Sequence, residues 1–227
     1  MKTEIIQEDR DLLVCHKPAG LAVESAAVGR MDMVSELKNY LKSPYLGVVH
    51  RLDQPVEGLL VFAKNQKSAA ALSRQLQKNT LSKEYYAAVC GKPIPESATL
   101  VDYLQKDSKT HTAGVTVKGA ADAKEAVLTY HVLETVSAAE TEISLLHVQI
   151  QTGRFHQIRA QLAHAGTPIL GDRKYGSAAS LAVSQALGVE NVALCACSLE
   201  FNHPTTGKTL SFRITPAAGV FHLFDLQ

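Results

Sequence analysis

The sequence lacks any uninterrupted apolar run approaching the roughly 18 residues that mark a membrane-spanning helix. Its N-terminus also lacks a secretory signal, because the acidic residue Glu4 appears before any apolar core begins. The sequence therefore predicts a soluble protein that stays in the cytoplasm, with no membrane partner.

Cysteine is scarce, with four residues in a chain of 227, and they are scattered among apolar neighbours. A structural zinc site needs further ligands at short spacing, and the sequence around Cys195-Ala-Cys197 supplies none. We interpret the cysteines as buried thiols in a reducing compartment. The sequence predicts no metal site.

An excess of either charge is also lacking, since 23 basic residues balance 22 acidic ones for a net charge of +1. That balance argues against wrapping of nucleic acid, but the charges are unevenly distributed. Residues 48–90 carry six Lys or Arg against three acids, and residues 147–176 carry four against one. If the fold brings these segments together, they form one phosphate-attracting cleft; ordinary solvated faces are the alternative.

Hydrophobic periodicity predicts both helices and strands. The predicted helices cover 31–41, a segment capped by Asn65, and 156–165, whereas residues 59–63, 127–136 and 142–151 have the patterns of strands. Residues 94–126 are predicted to form hairpins and loops. No repeat or linker demands a second domain, so we predict a single α+β domain over residues 1–227, built mainly on antiparallel strands.

Two apolar runs enclose the segment His50-Arg51-Leu52-Asp53. Loops held between rigid elements are frequent positions for catalytic groups. Taken alone, however, this segment is more typical of a structural Arg–Asp pair.

A second polar segment, Thr152 to Arg159, opens the predicted helix at 156–165. A helix N-terminus favours anions, and Arg159 can project from it towards a neighbour. If that neighbour is Asp53, the pair keeps the carboxylate ionised, as a nucleophile requires. Capping and surface salt bridges are the alternative for this segment alone.

The third motif is a pair of tyrosines, Tyr85 and Tyr86, after Lys83 in a predicted strand. Alternation places one ring on each face of the strand. One ring is expected in the core, and the other can stack on a base or abstract a proton. Two packing tyrosines are the simpler alternative.

Taken together and in order, these motifs resemble the RluA-type pseudouridine synthases over nearly the whole chain. The blocks that carry the resemblance are Glu8–Gly20, His50–Asp53, Gly58–Lys64, Lys83–Tyr85, Thr152–Arg159, Gly166–Gly176 and His203–Gly207. The resemblance implies isomerisation of uridine to pseudouridine in ribosomal or transfer RNA, without cofactor or metal. It also implies a mixed, mainly antiparallel sheet with flanking helices and a central RNA-binding cleft.

The resemblance also implies roles for individual residues. Asp53 is implied as the nucleophile, Tyr85 as the ring that packs on the base and abstracts a proton, and Arg159 as the partner of Asp53. Arg51 is expected to enter the helix stack that the flipped base has left. The remaining motif residues are expected to contact RNA: His50, Lys83, Arg154, His156, Gln157 and Ile158.

The chain departs from this family pattern in two places. Val56-Glu57 stands where family members commonly have Thr-Ser, so two hydroxyls are lost and a carboxylate is added four residues from Asp53. Unless Glu57 points to solvent, its charge disfavours the ionised form of Asp53. Nothing resembles the small N-terminal RNA-binding domain of some relatives, and nothing demands more than a monomer.

Two other functions remain open on sequence alone. A non-catalytic RNA-binding or ribosome-assembly protein that retains the fold is favoured only by Val56-Glu57. A nucleoside glycosidase that uses Asp53 on small molecules would leave Arg51 and the two basic segments with little to do.

Overall fold

A computed structural model of the chain describes residues 2–25, 29, 31–217 and 219–226. Within these residues the strands and α-helices are, in chain order, β1 (Glu4–Glu8), β2 (Leu12–Lys17), α1 (Met33–Leu41), β3 (Gly47–Val48), β4 (Glu57–Ala63), α2 (Gln66–Gln77), β5 (Ser82–Cys90), β6 (Ser97–Asp107), β7 (Thr112–Thr116), β8 (Lys124–Ala138), β9 (Thr141–Ile150), α3 (Gln157–His164), α4 (Ala178–Ala186), β10 (Leu194–Asn202) and β11 (Thr209–Arg213). This combination confirms the α+β prediction. Among the described helices, none is long and apolar enough to cross a membrane.

The chain divides into two compact units. The first unit consists of Met1–Lys83 and Cys195–Pro216, and the second of Glu84–Leu194 and Ala217–Gln227. The expectation of a single domain over residues 1–227 stays a prediction.

The first unit is built on a mixed sheet. Strand β4 pairs antiparallel with β2 and β3 and parallel with β10, while β1 and β11 pair antiparallel with β2 and β10. All seven residues of β4 are buried; the apolar run at 59–63 predicts this for a central strand, whereas the burial of Glu57 was not predicted. Alternate residues of three strands share one face and pack with Leu72 of α2: Leu12, Val14, Leu59, Val61, Ala63, Leu199 and Phe201.

Side-chain caps set where the two helices of this unit begin. Asn65 accepts a hydrogen bond from Ser68 N at 2.9 Å, which confirms it as the N-cap of α2. Asp32 accepts from Ser35 N at 2.7 Å. Because Asp32 is extended, α1 begins at Met33, two residues later than the pattern predicts.

The second unit contains an antiparallel sheet in the order β5-β9-β8-β6-β7. The predicted strand pair at 127–136 and 142–151 is confirmed by β8 and β9, in which Leu128 lies opposite Ile150. The predicted hairpin within 94–126 is confirmed by β6 and β7. Helix α3 begins at Gln157, and α4 was not predicted from the sequence.

Candidate active site

The loop between β3 and β4, residues 49–56, carries the predicted nucleophile. Leu52 and Val56 are buried on either side of Asp53, with 9% and 2% exposed. The amide of Val56 donates to the carbonyl oxygen of Asp53 at 3.0 Å and closes a turn. The backbone of Asp53 is therefore held from both sides, while the residue itself stays partly exposed.

Arg51 points away from this buried support. Its side chain is 70% exposed, and Nη1 lies 3.7 Å from Glu24 Oε2. An exposed ion pair of this length contributes little, at most about 1 kcal/mol, so the guanidinium can exchange Glu24 for an RNA ligand at small cost. Insertion of Arg51 into an RNA helix stays a prediction.

The turn at Asp53 is anchored by a buried lysine that sequence reasoning missed. Lys17 is 0% exposed, and its Nζ donates to the carbonyl oxygens of Pro18, Leu21 and Gln54 at 3.1, 2.7 and 3.0 Å. Gly20 N also donates to Gln54 O, at 2.9 Å. Burial lowers the pKa of Lys17 to about 8, and the charges of Asp53 and Glu57 oppose that shift. The segment at 17–20, which the sequence marks only as part of a family block, therefore clamps the residue next to Asp53.

Glu57 does not point to solvent. It is 4% exposed, and its Oε1 lies 2.8 Å from Nε2 of His16. The hydrogen bond with Glu57 is the largest cause of a raised pKa of His16, which burial partly opposes. The added carboxylate of this chain is thus buried beside a basic partner.

Gly58, which follows Glu57, has a backbone conformation that depends on the absence of a side chain. Its φ is +139°, and an added Cβ would lie 2.5 Å from the backbone nitrogen of Ala196 in β10. We expect Gly58→Ala to lower the free energy of unfolding by about 3 kcal/mol, since backbone strain and overpacking each cost roughly 1–3 kcal/mol. Urea denaturation measures the loss.

Gly119→Ala is the matched control for Gly58→Ala. Gly119 also has a positive φ, +88°, but an added Cβ would meet nothing within 4 Å. Equal losses in both variants would show that the close approach of β10 does not select glycine at position 58.

His50 is buried, with 7% exposed. Its Nε2 accepts a hydrogen bond from Val61 N at 3.4 Å, and its Nδ1 has no hydrogen-bond partner among the described residues. Burial, followed by the charge of Lys83, lowers the pKa of His50 to about 3. Burial also lowers the pKa of Lys83. This placement favours a neutral, structural His50 over direct contact with RNA.

The second unit carries the tyrosine pair on β5. Tyr85 is 5% exposed and lies opposite Val148 of β9. Tyr86 is more exposed, and its ring centroid lies 6.1 Å from that of His147. The difference in burial between the two tyrosines agrees with the prediction that alternation places one ring on each face of β5. A role for Tyr85 at the base stays a prediction.

Arg159 forms a buried ion pair within the second unit. Its Nε and Nη2 donate to the two carboxylate oxygens of Asp172 at 2.7 and 2.8 Å, and both side chains are almost fully buried. The backbone amides of Lys174 and Tyr175 also donate to Asp172 Oδ1. Asp172 therefore orients the guanidinium of Arg159. The predicted pairing of Arg159 with Asp53 joins the two units and stays a prediction.

Two of the predicted RNA-binding residues are buried supports of α3. Gln157 is 4% exposed and Ile158 is 6% exposed. The amide of Gln157 donates to Val127 O, and its Oε1 accepts from Thr152 Oγ1 and Arg154 N. These contacts favour structural roles for both residues.

His156 and Arg154 are held at the start of α3. His156 has a left-handed backbone, with φ 54°, and its Nδ1 lies 2.8 Å from the hydroxyl of Tyr175. That hydroxyl also accepts a hydrogen bond from Ala113 N, which fixes the position of the Tyr175 ring beside His156. The ring of Phe155 stacks on His156 at 3.8 Å. Arg154 is exposed and donates from Nε to Glu125 O.

The cysteines are mostly buried. Cys15, Cys195 and Cys197 are buried and Cys90 is partly exposed, so the burial prediction is confirmed for three of four. Burial raises the pKa of the Cys15 thiol to about 12, which is typical of an inert thiol. Within the described ranges, no cluster of His, Cys, Asp or Glu could hold a metal ion.

Comparison with known proteins places the chain in a family. Residues 11–164 match the family described as RNA pseudouridylate synthase. An uncharacterized RNA pseudouridine synthase of Bacillus subtilis, YlyB, is 32% identical over 220 residues, covering 93% of this chain and 68% of that protein. Ribosomal large subunit pseudouridine synthase D of Zymomonas mobilis is 33% identical over 221 residues, covering 92% and 68%.

A solved structure shares the fold. The human protein described as RNA pseudouridylate synthase domain containing 4 aligns with a TM-score of 0.75 at 25% identity, covering 97% of this chain and 91% of that chain. The chain belongs to the RNA pseudouridylate synthase family, as its RluA-type motifs predict. Members of this family are isomerases that convert uridine in RNA to pseudouridine.

Proposed function

We propose that the chain isomerises specific uridines of ribosomal or transfer RNA, with Asp53 as the nucleophile. The observation that carries this assignment is the position of Asp53 on a closed turn, next to a residue clamped by the buried Lys17. A nucleophile is effective when its position is fixed and its reacting atom is reachable. The partial exposure of Asp53 meets the second condition.

The reaction breaks the bond between uracil N1 and ribose C1′ and forms a bond between C5 and C1′. We assign Asp53 to the breaking of the first bond, after which the uracil turns and rejoins the ribose through C5. C5 gives up its proton and N1 gains one, so atoms balance without a cofactor. Tyr85 is our candidate for packing on the base and abstracting the proton, and Arg159 for holding Asp53 ionised.

Binding of RNA would draw on basic residues that the structure leaves exposed, Arg51 and Arg154, or partly exposed, His156 and Lys83. Arg51, planar and stackable, is suited to the gap that a flipped base leaves. Arg154, His156 and Lys83 are candidates for phosphate contacts. The relative named for the large ribosomal subunit supports ribosomal RNA as substrate, and transfer RNA is the other candidate.

The proposed function is tested with RNA that carries tritium at uridine C5. We expect the wild-type protein to release tritium to water from ribosomal or transfer RNA. A protein that binds these RNAs and never releases tritium would be a non-catalytic RNA-binding or assembly protein. Conversion of free nucleosides with RNA ignored would indicate the glycosidase. Mapping pseudouridines in a deletion strain against wild type then identifies the target.

We further propose that the protein acts in the cytoplasm as a monomer. Light scattering of the purified protein tests the oligomeric state, and cell fractionation tests the location. Activity that persists in excess EDTA would agree with chemistry that needs no metal.

A further inference from the structure

Glu57 is a buried carboxylate at the edge of the active-site loop. It is the first residue of β4, four positions after Asp53, and it is 4% exposed. A carboxylate removed from water is strongly unfavourable unless a positive or hydrogen-bonding partner compensates it. The Thr-Ser pair expected from the family resemblance brings no such charge, so this chain must compensate Glu57 in its own way.

His16 of β2 provides the compensation. Its Nε2 lies 2.8 Å from Glu57 Oε1, and its Nδ1 lies 3.2 Å from Glu4 Oε2 of β1. A neutral imidazole has one N–H and one lone pair, so its lone pair would face one of the two carboxylates. A protonated ring donates to both. The geometry therefore fits an imidazolium, in agreement with the raised pKa of His16, for which the hydrogen bond with Glu57 is the largest cause.

The charges around this pair are nearly balanced. Lys17 follows His16 on β2 and feels the charges of both Asp53 and Glu57. On the neighbouring strand β10, Cys195 is the pairing partner of Glu57. Burial raises the pKa of the Cys195 thiol, which therefore stays neutral. With His16 protonated, two cations face three carboxylates, of which Glu4 is 67% exposed and therefore screened by solvent. Loss of the His16 proton adds to the negative charge next to the turn of Asp53.

We propose that His16 is a positioning residue of this active site, whose imidazolium neutralises Glu57 and holds the start of β4 in place. The connection to the nucleophile is short, because Glu57 follows Val56, whose amide closes the turn at Asp53 O at 3.0 Å. The proposal rests on the proposed function, since it concerns the placing of Asp53 for that reaction.

Three variants test the pair: His16→Gln, Glu57→Gln and the double variant. In His16→Gln the buried carboxylate loses its cation, and we expect kcat at pH 7 to fall about tenfold or more with KM nearly unchanged, because small displacements of reacting groups have effects of that size. The double variant removes both charges and keeps amides that can bond to each other. We expect it to recover kcat to within about threefold of wild type, a coupling typical of neighbouring sites. His222→Gln, a substitution at an exposed histidine, is the control and should leave kcat unchanged.

The pH dependence separates positioning from simple structural support. Wild-type kcat should decline as pH rises through the raised pKa of His16, and the double variant should lack that decline. Titration of Lys17, whose pKa is about 8 in wild type, is expected at a lower pH in the double variant, because Glu57→Gln removes one of the charges that raise this pKa. The free energy of unfolding should also fall as pH rises. The contribution of the protonated His16 to it is complete below the ordinary pKa of 6.5 and is lost as pH rises through the raised pKa.

NMR titration of the His16 ring gives a readout that needs no activity. Its signal is assigned by its absence in His16→Gln, and its pKa should fall in Glu57→Gln. An unchanged His16 pKa in Glu57→Gln would overturn the ion pair, and a double variant as impaired as His16→Gln would overturn the positioning role. If wild type releases no tritium, the proposed function fails, and the titration alone then decides whether the ion pair exists.

Discussion

Replacement of Asp53 by asparagine is expected to abolish tritium release while RNA binding persists. Asparagine has nearly the same shape, so Leu52 and Val56 keep the turn in place, but an amide is not the nucleophile that a carboxylate is. We expect a loss in kcat of at least about 10⁴-fold, the size seen when a group of the reacting unit is removed. Single-turnover assays on C5-tritiated RNA measure release, and filter binding measures affinity.

Asp122→Asn is the control for the asparagine substitution. Asp122 is exposed and has a φ of 56°, a conformation that asparagine tolerates, so activity should not change. Retained tritium release in Asp53→Asn would exclude Asp53 as the nucleophile. Loss of RNA binding in that variant would instead show that Asp53 acts mainly in recognition.

Asp172→Ala is expected to destabilise the protein more than any surface change. The substitution removes the carboxylate that receives two hydrogen bonds from the buried Arg159 and two more from backbone amides. Breaking a buried ion pair by removing one partner costs roughly 3–5 kcal/mol. Urea denaturation of Asp172→Ala and of wild type measures the difference in unfolding free energy.

Glu24→Ala is the comparison, because it breaks the exposed pair with Arg51. An exposed pair contributes at most about 1 kcal/mol, so the urea concentration at the midpoint of unfolding should hardly change. Similar midpoints for Asp172→Ala and Glu24→Ala would mean that the pair of Arg159 and Asp172 adds little to stability. Adding Arg159→Met to Asp172→Ala should recover part of the loss, since an apolar side chain needs no partner.

The features that sequence predicts well here are local ones. The N-cap at Asn65 depends on a contact three residues away, and the central strand β4 follows from five consecutive apolar residues after Gly58. The position of Asp53 in a loop between strands was equally readable, because the apolar runs on either side mark both ends.

The features that sequence did not predict depend on partners distant in the chain. Burial of Lys17 requires the carbonyl oxygen of Gln54, 37 positions away. No sequence pattern near Lys17 predicts this contact. The partner of Arg159 within its unit, Asp172, stands in a block that served only to mark the family. Hydrophobic periodicity did not predict α4, because the buried face of this helix is partly polar: Ser180 and Ser184 are buried beside Val183.

The enclosure of the Lys17 ammonium makes it a chemical reporter for the active-site loop. Amine-reactive reagents attack the neutral amine of an accessible lysine, and Lys17 is 0% exposed, although burial lowers its pKa to about 8. Acylation of Lys17 therefore requires the carbonyl oxygens of Leu21 and Gln54 to move away first. Its labelling rate, measured by mass spectrometry against the exposed Lys109, gives the frequency with which the support of Asp53 opens.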